Sequence, residues 1–142
     1  MLKFLLIVSL CYSFAFASEK ETATKIVQAI VATVNTYDQA VWIQKNDKEL
    51  LELLDVNRFN ISDTCKDAGV LILQSSTSFS GACKDKPIVV LDYDILKDHK
   101  NAVAAFFWKK GRPNIVFIKD RIEKFNIVLP PSYEIYLEET IW

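Results

Sequence analysis

Residues Asn101 to Asn126 read NAVAAFFWKKGRPNIVFIKDRIEKFN, and the fold turns on how they are parsed. Ala102 to Trp108 carries no polar side chain. It is too short to span a membrane, which takes about 20 apolar residues. Phe106, Phe107 and Trp108 favour a strand. The polar turn Lys109-Lys110-Gly111-Arg112-Pro113 follows, and then a β-branched apolar run, Ile115 to Ile118. Two apolar runs joined by a turn predict a β-hairpin. Its strands are apolar on both faces, so the sheet that holds them is covered on both sides. Lys119 to Phe125 then predicts a short helix with Ile122 and Phe125 on one face. Arg121, Glu123 and Lys124 are expected to point to solvent.

Working outward, the chain of 142 residues has room for one domain with a real core. Residues 1–17 stand apart. Lys3 supplies a minimal positive start, Phe4 to Phe14 an apolar stretch, and Ala15-Phe16-Ala17 a small-x-small site. These are the parts of a secretory signal peptide cut after Ala17, which leaves residues 18–142 as a single exported domain. Loss of Lys3 takes the formal net charge from −1 to −2. That balance argues against nucleic acid as a partner, because phosphate backbones call for a clustered basic surface. Cys11 leaves with the leader. Cys65 and Cys83 remain, and an even count in an oxidising compartment favours a disulfide over free thiols. Two cysteines and His99 are too few and too badly spaced for zinc, so no metal and no cofactor are expected.

Upstream, Ile26, Ile30 and Val34, flanked by Val27 and Val31, form a helical stripe within Ser18 to Thr36. Ala40 to Ile43 predicts a strand, and Asp47 is placed to cap a second helix carrying Leu50, Leu51, Leu53 and Leu54. A short strand is possible at Arg58 to Ile61. Gly69 to Leu73 and Ile88 to Leu91 are apolar strands. Asp94 is placed to cap a short helix, Ile95 to Lys100, and Tyr133 to Glu139 predicts a last helix after Pro130-Pro131. Helices alternating with apolar strands make the fold class α/β: a single three-layer sandwich lobe with a mainly parallel sheet and one antiparallel hairpin.

In such sheets ligands bind beyond the carboxyl ends of the strands. Two of those ends carry Ser75-Ser76-Thr77-Ser78 and Asp92-Tyr93-Asp94. Ser75, Ser76, Asp92 and Tyr93 are therefore the candidate small-molecule site, though turn and capping roles explain the same residues. Trp108, Lys109 and Arg112, with Lys110, form a basic aromatic tip suited to a protein partner. The alternative is a solvated turn with Trp108 in the core. His99 is the single histidine and stands beside no evident nucleophile. Nucleotide, zinc-protease and serine-hydrolase motifs are missing from the sequence, so no catalytic residue is assigned.

Pro87 to Asp92 (PIVVLD), Asn101 to Phe107, Gly111 to Ile115 and Ile122 to Pro131 (IEKFNIVLPP) run in an order that resembles the closing half of the small periplasmic YfiR-type proteins. The tail Asn126 to Ser132 is also similar to the end of one lobe of ABC-type periplasmic substrate-binding proteins. The resemblance spans roughly Cys65 to Glu139. Both families imply an α/β lobe in the periplasm. The first implies a non-enzymatic regulator that restrains a membrane-bound signalling partner; independently of it, a single lobe suits a homodimer formed through exposed apolar surface. The second implies a small-molecule binding module.

Overall fold

The structure is a computed structural model and describes residues 19–44, 48–54 and 58–141. The proposed leader and the Asp47 cap lie outside those residues. A helix over residues 19–34 (α1) opens the described chain. It buries Ala23, Val27, Ile30, Val31 and Val34, whereas Ile26 of the predicted stripe is only half-buried, so the buried face is turned toward Val27 and Val31 and begins one turn earlier. Six strands follow: β1 (Val41–Ile43), β2 (Val70–Leu73), β3 (Ile88–Val90), β4 (Ala102–Lys109), β5 (Arg112–Ile118) and β6 (Leu137–Glu138). Three short helices sit among them: α2 (Lys48–Leu53), α3 (Ile95–Asp98) and α4 (Lys119–Lys124).

The strands form one sheet in chain order, β1-β2-β3-β4-β5-β6. Every neighbouring pair is parallel except β4 and β5, which form the antiparallel hairpin. Successive side chains of β2 alternate between two separate cores. Val70 and Ile72 join α1, Leu50 of α2 and Ile122 of α4 on one face. Leu71 and Leu73 join Ile95 and Leu96 of α3 on the other. All four residues of β2 are buried, as a sheet covered on both faces requires. The lobe is thus the predicted three-layer α/β sandwich.

The register between β3 and β4 slips by one residue, from Ile88 opposite Ala102 to Val89 opposite Ala104. The extra residue puts both Val103 and Ala104 against the α1 side of the core, a β-bulge. The short strand expected at Arg58 to Ile61 does not form. Only Ile61 bridges Val41 on the outer side of β1, held by Val41 N–H to Asn60 O and Ser62 N–H to Val41 O, each 2.8 Å.

Cys65 and Cys83 are disulfide-bonded, with their Cα atoms 5.5 Å apart. The bridge ties two 3₁₀ turns, Cys65–Asp67 and Gly81–Asp85, beneath α3's face of the sheet.

Three expectations are corrected. The last helix is a 3₁₀ segment, Pro131–Tyr136, that leads into strand β6 beside Phe117 and Ile118. In a 3₁₀ helix residues three apart eclipse, which sets Tyr133 and Tyr136 side by side, with Tyr133 stacked on Phe117 at 5.8 Å. Asp94 makes no capping bond to α3. Instead Asp92 Oδ1 accepts from the Asp94 N–H at 3.0 Å and closes a turn. Arg121 does not point to solvent, as described below.

Candidate binding surfaces

β4 and β5 outrun their neighbours. β3 follows β4 only as far as Ala105, and β6 meets β5 only at Phe117 and Ile118. Residues 106–116 therefore leave the sheet as a two-stranded arm. Its tip is the two-residue loop Lys110-Gly111, with φ of 52° and 73°, the left-handed pair that a tight hairpin turn requires. Arg112 and Pro113 belong to β5 rather than the turn, paired with Lys109 and Trp108.

Trp108 is 42% exposed. It is not a core residue, and its ring meets Phe106 edge-on at 5.9 Å. Lys109, Lys110 and Arg112 are exposed around it. No acidic residue occurs between Asn101 and Ile118, so the arm presents one sign of charge. Beneath it lies a cavity of about 460 Å³ lined by Tyr93, Phe107, Trp108, Lys109, Ile115 and Glu138. Tyr93 reaches it from the far side of α3's turn, packed edge-on against Phe107 at 5.3 Å. Of the two predicted sites, the structure joins Tyr93 to Trp108 and Lys109. Arg112 lines an adjacent concavity with Lys109 and Lys110.

The remaining predicted ligand residues are separately engaged. Gln44, 4% exposed, sits just past β1 and ties it to the residues that leave β2. Its Oε1 accepts from the Gln74 and Ser75 N–H groups at 3.0 Å each, and its Nε2 donates to Ser75 Oγ at 3.0 Å. Ser76 Oγ donates to Asp98 Oδ2 at the end of α3. Asp92 is exposed and spends one oxygen on its own turn. Ser75, Ser76 and Asp92 thus have three different partners.

Two residues outside the predicted sites organise this side of the lobe. Arg121 Nη1 donates to Leu96 O, His99 O and Ala102 O at 2.8–2.9 Å, clamping the end of α3 to the start of β4. Burial draws its pKa below the ordinary guanidinium value. His99 Nε2 accepts from the Thr77 N–H at 3.3 Å. Burial lowers the imidazole pKa from its usual 6.5, partly opposed by the neighbouring Asp98 carboxylate. No sequence signal marks Gln44 or Arg121, because their partners are backbone groups set by the tertiary fold. Among the described residues no group of three or more His, Cys, Asp or Glu could hold a metal ion, and no helix is long and apolar enough to cross a membrane. Comparison with family models, curated proteins and solved structures finds no match to the chain.

Proposed function

We propose that this chain is an exported, non-enzymatic binding protein that regulates a membrane-bound signalling partner, and that the β4–β5 arm is its contact surface. One observation carries the reading: Trp108 is 42% exposed on a projecting arm among three cations. An exposed tryptophan beside arginine is the composition of an interface hot spot. The absence of acids along the arm suits a partner with an acidic patch, which such a surface would attract and orient. Pro113 lacks an N–H and lies on the uncovered edge of β5, and proline on an edge opposes strand addition. Strand addition at that edge of the arm is therefore opposed, and the exposed side chains are the contact assigned here. The export signal read in residues 1–17, the disulfide and the resemblance to YfiR-type regulators agree with a periplasmic location.

The second reading is a small-molecule module akin to one lobe of a substrate-binding protein. The cavity under the arm favours it, since apolar walls with a few polar groups are the usual makeup of such sites and Tyr93, Lys109, Asn114 and Glu138 supply the polar groups here.

The test is capture from a membrane extract of the producing cell by wild-type protein, Trp108→Ala and Arg112→Glu, with circular dichroism on each. A membrane protein held by the wild type and released by both folded variants supports the regulator. Equal retention by all three, or none by the wild type with a small molecule kept in native mass spectrometry, refutes it in favour of the module. A monomer–dimer shift on gel filtration that Trp108→Ala abolishes would make a second copy the partner.

A further inference from the structure

At the other end of β4 from the arm, where β3 and β4 begin, the surface folds into a basin of about 410 Å³. Its walls come from three separate elements. The disulfide turn Gly81–Asp85 contributes Lys84, the segment between α3 and β4 contributes His99 and Lys100, and α4 contributes Lys124.

Asn101, 9% exposed, joins these walls. Its Nδ2 donates to Lys84 O at 2.6 Å and its Oδ1 accepts from Lys124 Nζ at 2.8 Å. The Lys124 ammonium is thus held by a neutral amide. Among the described residues none of Lys84, Lys100 and Lys124 is in an ion pair. Two carboxylates share the basin, Asp85 and Asp98, and Asp98 is already taken by the Ser76 hydroxyl. Since His99 Nε2 accepts a hydrogen bond, a neutral ring carries its proton on Nδ1. Among the described residues no buried side-chain nitrogen or oxygen lacks a partner, so Nδ1–H, which bonds no other protein group, is not buried. The basin therefore holds a surplus of donors: three ammoniums and a neutral N–H.

We propose that this basin binds a small phosphate monoester, its dianionic head held by Lys84, Lys100 and Lys124 with His99 Nδ1–H as a fourth donor. The donors come from three separate segments that line one basin, and none of them is an arginine with a planar fork. That arrangement suits a tetrahedral oxyanion better than a planar carboxylate. Phe79 and Ile88 complete the wall with apolar surface for the organic part. Phe79 is braced between Trp42 at 5.8 Å and His99 at 6.0 Å. The site is independent of the arm, so Trp108→Ala leaves it intact.

His99 is the single histidine of the chain, so its imidazole proton signals in NMR assign themselves. Phenyl phosphate titrated into the full chain should shift those signals saturably and raise the imidazole pKa. Asp85, Asp98, Lys84, Lys100 and Lys124 are the other charges around the basin, and none of them changes with the added ligand except through it. Inorganic phosphate should bind more weakly, because it leaves Phe79 uncovered. Lys84→Glu and Lys100→Glu, both at exposed positions, should weaken binding at least roughly tenfold each with circular dichroism unchanged. The proposal is overturned if sodium chloride at equal ionic strength produces the same shift, if the shift does not saturate, or if both charge reversals leave the affinity unchanged. Inorganic phosphate binding as tightly as phenyl phosphate would also overturn the ester assignment.

Discussion

Arg121→Met removes a guanidinium nitrogen that serves three backbone carbonyls while keeping most of the aliphatic stem. Nη1 carries two protons for the acceptors Leu96 O, His99 O and Ala102 O, so it makes the equivalent of two full charge-assisted bonds. Each such bond is worth about 1.5–3 kcal/mol net. Arg121 is half-buried, and water can reach part of the vacated position, which cuts the loss by roughly half to about 1.5–3 kcal/mol. For a domain of this size that corresponds to a fall in Tm of roughly 10 °C. The assay is urea unfolding of the oxidised protein, followed by circular dichroism. The midpoint should drop by about 1–2 M with the slope unchanged. Arg121→Lys should recover only part of the loss, because one ammonium on a shorter stem does not reach three carbonyls. A midpoint for Arg121→Met within about 0.5 kcal/mol of wild type would refute the reasoning. It would mean that water replaces the guanidinium at those carbonyls without cost.

Replacing Cys65 and Cys83 together by serine opens a loop between residues 18 apart and should cost about 3 kcal/mol in the chain-entropy account; an unchanged melting point would show that the reduced segment is already ordered. Gly111→Ala places a Cβ at φ 73° and should destabilise by about 1 kcal/mol, read as a lower thermal midpoint, whereas Lys110→Asn should be neutral or slightly stabilising. The folded-state pKa of His99 lies below its unfolded value of 6.5, so the unfolded chain binds the extra proton first as pH falls. Stability should therefore decline from about pH 6.5 downward until the folded imidazole also protonates. In His99→Gln that part of the slope should vanish, and its survival would assign the slope to other groups.

The hairpin was legible because its signals are local: apolar residues on both faces and a polar turn with Gly111 and Pro113 between the two runs, although the turn itself is shorter than the five residues expected. The parallel strands were legible for the same reason, as β2 and β3 are apolar throughout. Trp108 was ambiguous because exposure depends on where β3 stops, and nothing within Ala102 to Trp108 encodes that. The end of the chain was misread because Tyr133 and Tyr136 are three apart, a spacing that serves a 3₁₀ turn as well as an α-helix. Arg121 was misread because a cation in an amphipathic helix is ordinarily solvated, and its carbonyl partners lie some 20 residues away. Gln44 is a lone amide after a strand, and only the pairing of β1 with β2 brings it to the Gln74 and Ser75 N–H groups. Of the candidate sites, the basic tip could be read from composition. Its junction with Tyr93 depended on how α3's turn packs against Phe107.

The sheet's strand order is the order of synthesis, β1 through β6. Every strand pairing is then made with the strand translated just before it, and no strand must wait for a later one to be inserted between its neighbours. Such an arrangement lowers the mean sequence separation of contacts for a largely parallel sheet, a class that ordinarily folds slowly because its pairings are distant. The chain can grow the sheet from one edge, each strand docking on the one before it. The last addition is β6, two residues long, so a chain interrupted before Leu137 would lack only the outermost strand of the sheet.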